Sequence, residues 1–140
     1  MKKIKFKDLP ISQEVIKATK EMKFETATEV QQKAIPALMY DKDVIAQSQT
    51  GTGKTASFAI PMIEKVSLNN GIEGIVICPT RELALQVVRE FESLAKYKKN
   101  VKLAAVYGGA SARKQISKIK KGANIIVGTP GRIIDLINRG

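Results

Sequence analysis

The residues best suited to chemistry stand together at Ser48-Gln49-Thr50-Gly51-Thr52-Gly53-Lys54-Thr55, after the apolar run Val44-Ile45-Ala46 and before Ala56-Ser57-Phe58-Ala59-Ile60. Two glycines let a backbone curl until successive N–H groups point inward, and a helix starting near Lys54 adds the positive end of its dipole. Such a pocket suits a polyphosphate. The Lys54 ammonium can meet the outer phosphates, and the Thr55 hydroxyl can ligate a magnesium ion that bridges them. The strict pattern G-x-x-x-x-G-K-[ST] has glycine where this chain has Ser48. A flexible Gly/Thr turn before an ordinary helix is the plainer alternative.

Composition narrows the remaining chemistry. The 140 residues include no histidine, so imidazole bases, Cys/His zinc sites and Ser/His triads are excluded, leaving carboxylates, lysine, hydroxyls or a bound metal. The single cysteine, Cys78, ends an apolar run and reads as a small core thiol in a reducing compartment. Met1-Lys2-Lys3-Ile4-Lys5 carries the charge of a signal-peptide start, but Lys7 and Asp8 occupy the place of its apolar region. No apolar run approaches the ~20 residues that span a bilayer. A cytoplasmic protein with no membrane partner is expected.

The net charge of +11 is unevenly placed. From Ser93 to Ile134 there is no Asp or Glu, while Lys96, Lys98, Lys99, Lys102, Arg113, Lys114, Lys118, Lys120, Lys121 and Arg132 fall in that span. Elsewhere acids and bases nearly balance. A basic field confined to one segment suits an extended polyanion; a solvated lysine face kept for solubility is the alternative.

The elements that must position these groups follow from the pattern. Leu9-Pro10-Ile11-Ser12 reads as a helix start, with Val15, Ile16, Thr19 and Met22 as its apolar stripe. Thr28-Glu29-Val30-Gln31 has the form of a capping box, and Ala34, Ile35 and Leu38 continue an apolar face until Pro36 disturbs it. A strand, the phosphate loop and a helix interrupted by Pro61 come next, and Asn69-Asn70-Gly71 closes the unit. Gly74 to Cys78 is a continuous apolar run, the mark of a strand covered on both faces. Thr80 can cap the helix after it, whose core face reads Leu83, Val87, Phe91 and Leu94. Val101 to Tyr107 is a strand closed by Gly108-Gly109. A basic helix spans about Ser111 to Lys121, with Ile116 and Ile119 facing inward. Asn124 to Gly128 is a further strand, then the turn Thr129-Pro130-Gly131-Arg132 leads to a helix at Ile133.

This alternation predicts an α/β fold, a parallel sheet with helices on both faces. The only acid after Glu92 is Asp135, inside a predicted helix. The acidic strand end that a phosphate-loop enzyme uses to hold magnesium and orient water is therefore expected beyond Gly140, which would leave the last strand as an unprotected sheet edge.

Four stretches in order, Phe24 to Gln31, Ser48 to Thr55, Pro79-Thr80-Arg81-Glu82-Leu83-Ala84 and Thr129-Pro130-Gly131-Arg132, resemble the first part of a DEAD-box ATP-dependent RNA helicase. The resemblance implies an incomplete RecA-like domain, with N-terminal helices and a glutamine motif over residues 1–40 and the partial ATP-binding domain over 41–140. It implies adenine recognition by Phe24, Thr28 and Gln31, with Phe6 as the upstream aromatic. A side-chain amide offers the donor and acceptor that the adenine edge needs, although Gln31 closing its capping box is the competing use. Lys23 and Ala27 depart from the glycine and proline usual in that segment.

The resemblance further implies that Ser48 to Thr55 hold ATP-Mg2+, with Lys54 and Thr55 as this chain's share of the catalysis and Thr55 as the metal ligand. Pro79, Thr80, Arg81, Gly108, Gly109, Thr129, Pro130, Gly131 and Arg132 correspond to RNA-backbone contacts. Helix N-termini, glycine N–H groups and arginine suit phosphate oxygens and read no base. Ligands of an open α/β sheet gather at the carboxyl ends of its strands, so ATP and RNA would share that edge, closed over by a second RecA-like domain outside this sequence. A different phosphate-loop enzyme and a non-catalytic RNA-binding fragment are the competing functions.

Overall fold

The computed structural model describes residues 2–67 and 71–140. The expected turn at Asn69-Asn70 lies outside the described residues. The chain forms two compact units, one of Met1–Lys65 with Glu90–Lys99, the other of Val66–Arg89 with Asn100–Gly140.

The first unit is helical among its described residues. Helix α1 (Gln13–Glu21) begins at Ser12, whose hydroxyl accepts from the Val15 N–H, and buries Val15, Ile16, Ala18 and Thr19. Ser12 also donates its N–H and hydroxyl to the Glu64 carboxylate at 2.9 and 2.7 Å. Helix α2 (Glu29–Met39) opens on the expected Thr28/Gln31 capping box. Helix α3 (Lys54–Lys65) follows the phosphate loop.

Pro61 does not interrupt its helix, contrary to the sequence expectation, and Pro36, expected to disturb the ladder, also sits inside one continuous helix. A proline in a helix interior removes a ladder bond and costs about 3 kcal/mol. Helices α2 and α3 pack on each other, and Ile35, Ile60 and Ile63 are fully buried. At ~1.5–3 kcal/mol per buried side chain, those isoleucines together are of the size needed to offset the lost bonds.

The expected strand at Val44-Ala46 is also absent: these residues join no β ladder among the described residues, and Ile45 is fully exposed. An apolar run becomes a strand only beside another strand, and the described residues of the first unit offer none.

The second unit is built on a parallel sheet of β1 (Gly74–Ile77), β2 (Leu103–Val106) and β3 (Ile125–Gly128), in the order β1-β3-β2. The register pairs Gly74 and Leu103 with Ile125 and ends with Ile77 and Val106 opposite Gly128. All four residues of β3 are buried. The last strand is therefore the central one, not an unprotected edge, and the strand expected to be covered on both faces is an edge whose Ile75 and Ile77 are 54% and 63% exposed. Sequence order carries no strand order when each connection crosses over.

Helix α5 (Ala112–Lys120) and helix α6 (Pro130–Asn138) contribute Ile119, Ile133 and Leu136 against Ala104, Val106, Ala123 and Ile126. Helix α6 starts at Pro130 rather than Ile133, so the predicted turn is its first turn, with proline where a free N–H would be unpaired anyway. Helix α4 (Arg81–Leu94) buries Ala84, Val87, Val88, Phe91 and Leu94, while Leu83 stays partly exposed. No described helix is long and apolar enough to cross a membrane.

Candidate nucleotide and nucleic-acid site

The phosphate loop lies in the first unit, just ahead of α3. Gly51 and Gly53 both take φ of +81°, a left-handed conformation costing other residues about 1–2 kcal/mol. The loop is folded on itself. Lys54 Nζ donates to the Ser48 carbonyl at 2.7 Å, the Ser48 and Thr52 hydroxyls lie 2.6 Å apart, and Thr52 donates to the Gln49 carbonyl at 2.7 Å. Ser48 thus has a local use that glycine would lack: its hydroxyl fastens one end of the loop to the other. Nothing lies within 4 Å of where a Gly51 Cβ would sit.

The donor set fits a polyphosphate, since a phosphate oxygen could take the exposed Lys54 ammonium over from the Ser48 carbonyl and the two left-handed glycines give the loop the curl that presents N–H groups to an anion. It fits magnesium as well, because that ion keeps most of its shell as water and phosphate oxygens and asks one hydroxyl of the protein. The half-buried Glu90 carboxyl, toward the end of α4, is pushed above its ordinary value by burial, and the nearby Thr55 hydroxyl draws it part of the way back. Glu90 was not singled out in the sequence, because nothing in a helix face thirty-five residues downstream of Thr55 signals the contact. No group of three or more His, Cys, Asp or Glu suited to a metal occurs among the described residues.

Gln31 is 3% exposed and uses both ends of its amide. Oε1 accepts from the Thr28 N–H at 2.9 Å, and Nε2 donates to the Gly53 carbonyl at 3.2 Å. It is the capping residue and at the same time a strut from α2 to the phosphate loop. A Cβ on Gly53 would meet Nε2 at 2.1 Å, so glycine there answers a steric demand as well as a conformational one. Phe6 is buried and stacks on half-buried Phe24, ring centroids 6.2 Å apart. The two aromatic rings are together, but Phe6 is a wall behind Phe24 rather than an open stacking face. A cleft of about 790 Å3 opens between the start of α2 and the segment Asp43–Thr52, with Thr28, Ser48, Gly51 and Thr52 in its walls.

The second unit places its three candidate loops at the carboxyl ends of its strands. Pro79, Thr80 and Arg81 follow β1, Gly108 and Gly109 follow β2, and Thr129 to Arg132 follow β3. The Thr80 hydroxyl accepts from the Leu83 N–H at 3.2 Å and caps α4 as expected. Gly109 has φ of +78°, and Arg81 Nη1 lies 4.0 Å from its would-be Cβ, so the guanidinium spans the first two loops. That guanidinium also stacks 4.7 Å from the Tyr107 ring centroid. At Gly128 a Cβ would stand 2.5 Å from the Val106 carbonyl oxygen; glycine lets β3 and β2 end close together and brings the third loop beside the second.

Gln115, unremarkable in the sequence, holds this arrangement from below. It is buried on α5, donates Nε2 to the Tyr107 carbonyl at 3.0 Å and accepts from the Tyr107 N–H at 3.3 Å. Its Oε1 also accepts from Arg132 Nη1 at 2.8 Å. Arg132 reaches the Ala110 carbonyl with both terminal nitrogens at 3.2 Å and lies 3.6 Å from Asp135. The Arg132 guanidinium therefore faces inward and ties the third loop to the second, whereas the Thr129 hydroxyl makes no capping bond. Cys78, at the end of β1, is buried with its thiol pushed up by burial, which fits the core role expected of it and leaves no thiolate for chemistry.

An α/β fold with a parallel sheet, together with this strut-supported loop ahead of α3, defines a protein of the phosphate-loop class. The family model for the DEAD/DEAH box helicase matches residues 28–140, and the chain belongs to that family. It is 53% identical over 136 residues to a protein named probable ATP-dependent RNA helicase from Methanocaldococcus jannaschii, covering 96% of this chain and 36% of that one. It is 51% identical to the DEAD-box ATP-dependent RNA helicase CshA of Geobacillus kaustophilus, covering 96% of this chain and 29% of the relative. The crystal structure of a DEAD box protein from Methanococcus jannaschii superposes with a TM-score of 0.92 at 51% identity, over 99% of this chain and 38% of that one. A hypothetical ATP-dependent RNA helicase from Sulfolobus tokodaii gives a TM-score of 0.84 at 39% identity, over 93% and 37% of the two chains. The chain thus spans about a third of the length of these relatives.

Proposed function

We propose that this chain supplies the ATP-Mg2+ cradle and part of the RNA-backbone track of an ATP-dependent RNA helicase that remodels RNA duplexes. The observation that carries the reading is the Gln31 strut: one amide joins the segment assigned to adenine with the Gly53 carbonyl of the phosphate loop. Residues 1–40 then sense the base and the loop after residue 41 holds the phosphates. Bound ATP-Mg2+ supplies the phosphoryl group and the charge-neutralising cation. Lys54, now on the Ser48 carbonyl, would hold a phosphate oxygen, Gly51 and Gly53 would donate backbone N–H groups, and the Thr55 hydroxyl would be the protein's ligand to the metal. Gln31 keeps its bonds to Thr28 and Gly53 and offers adenine the second Nε2 hydrogen and the second Oε1 lone pair, with Phe24 backed by Phe6 against the ring.

RNA phosphates lie along Pro79-Thr80-Arg81, Gly108-Gly109 and Thr129-Pro130-Gly131. Arg81 is the cation among them, and Arg132 keeps the loops in register. Groups of these types suit phosphate oxygens and read no base, so binding ignores sequence. A second RecA-like domain, in keeping with the greater length of the relatives, closes over both ligands and completes the hydrolytic machinery. The activity belongs to a cytoplasmic, RNA-facing enzyme, and the chain by itself turns over ATP negligibly. Fluorescence anisotropy with single-stranded RNAs of unrelated sequence tests the reading. Equal, salt-sensitive affinities are expected; strong preference for one sequence, or no binding, would overturn it.

A further inference from the structure

Three of the ten cations in the acid-free segment are accounted for by ion pairs: Lys96 with Glu21, Lys98 with Glu64 and Arg132 with Asp135. The outward face of α5 is not. Arg113, Lys114, Lys118, Lys120 and Lys121 are all exposed, and none has an ion-pair partner among the described residues. Lys102 joins them from the start of β2, its Nζ 3.6 Å from the would-be Cβ of Gly122 just past the helix end.

The helix dipole favours cations in the last turn, so it accounts for Lys118, Lys120 and Lys121. It opposes Arg113 and Lys114, which stand in the first turn at the positive end. Lys114 and Lys118 are also four residues apart on one face, a spacing at which like charges repel. Helix stability therefore does not explain Arg113 and Lys114, and a polyanionic partner does. The face is continuous with the candidate RNA loops, since the Ser111 cap of α5 follows Gly109 by two residues. Lys114, Lys118 and Lys121 lie along ~10 Å of helix rise, about three nucleotide steps at the 3.4 Å spacing of a stacked strand.

We propose that the outer face of α5, with Lys102, is a phosphate track that carries the RNA backbone onward from the Gly108-Gly109 loop. The proposal rests on the RNA reading above, and its experiment separates the two. The 140-residue chain is titrated with a short single-stranded RNA that covers only the three loops and with a long one that extends past Ser111. The same titrations use a variant carrying Lys114→Gln, Lys118→Gln and Lys121→Gln, and a control with the equally exposed Lys20→Gln, Lys23→Gln and Lys42→Gln in the first unit. The α5 variant is expected to bind the long RNA roughly tenfold more weakly at ~50 mM salt, with a log K against log salt slope shallower by about 2 for three lost phosphate contacts. Its affinity for the short RNA and its melting temperature should hold or rise slightly, because repulsion within the helix is relieved. Unchanged binding of the long RNA, equal weakening on both lengths, or equal weakening in the control would overturn the track and leave the loops as the RNA site. Failure of the unaltered chain to bind either RNA would overturn the RNA reading itself.

Discussion

At the residue scale the two left-handed glycines of the phosphate loop are separable. Gly51→Ala carries only the conformational cost, about 1–2 kcal/mol, since open space surrounds its would-be Cβ. Gly53→Ala carries that cost and drives a methyl onto the Gln31 amide. It is expected to lose ~1–3 kcal/mol more, the range for overpacking a closed site, and urea denaturation of the two variants checks the order. Gln115→Leu leaves the Tyr107 N–H and carbonyl without their partner and frees Arg132; it should destabilise the chain by ~1–3 kcal/mol and weaken RNA binding without touching nucleotide affinity. The phosphate loop was legible in the sequence because its chemistry is written in consecutive residues. Gln115, Glu90 and Gly128 were not, because each acts on a residue that only folding brings near. Gln31 was legible as a cap, yet its bond to Gly53 spans twenty-two residues.

At the element scale, α1 and the segment after α4 are fastened by a charged cluster. Glu21 pairs with Lys96 at 2.9 Å and accepts from the Tyr97 hydroxyl, and Lys17 lies 4.3 Å over the Tyr97 ring. The Tyr97 hydroxyl, then Lys96, hold the Glu21 carboxyl below its ordinary value. A lowered carboxyl contributes stability that is present above its unfolded pKa of about 4.3 and lost as pH falls through the folded value. Melting temperatures taken down an acid series should therefore fall less steeply for Glu21→Gln than for the parent, and identical acid limbs would remove Glu21 from the account. The exposed β1 edge is a second element-scale feature. Ile77→Lys, on a side chain 63% exposed, is expected to change stability by under ~0.5 kcal/mol while reducing aggregation in light scattering. Helix positions, caps and the parallel character of the sheet followed from pattern. Strand order, the missing strand at Val44-Ala46 and the uninterrupted proline helices did not, because they depend on which surfaces are available to pair or pack.

At the scale of the whole molecule, the charge asymmetry has an energetic signature. With ten cations in one acid-free stretch and the proposed RNA track drawn largely from it, RNA affinity should fall linearly on a double-logarithmic salt plot, about 0.7 in slope for each single-strand phosphate neutralised. Nucleotide binding, dominated by a few backbone N–H groups and Lys54, should respond far less. If the loop from Ser48 to Thr55 grips a nucleotide's phosphates, calorimetric titration with ADP and magnesium will show it. Lys54 is exposed and bonded to the Ser48 carbonyl, so Lys54→Ala should leave the melting temperature of the free protein almost unchanged. Heat of binding is expected for the parent chain and should be lost in Lys54→Ala; equal binding by both proteins would rule out the phosphate grip.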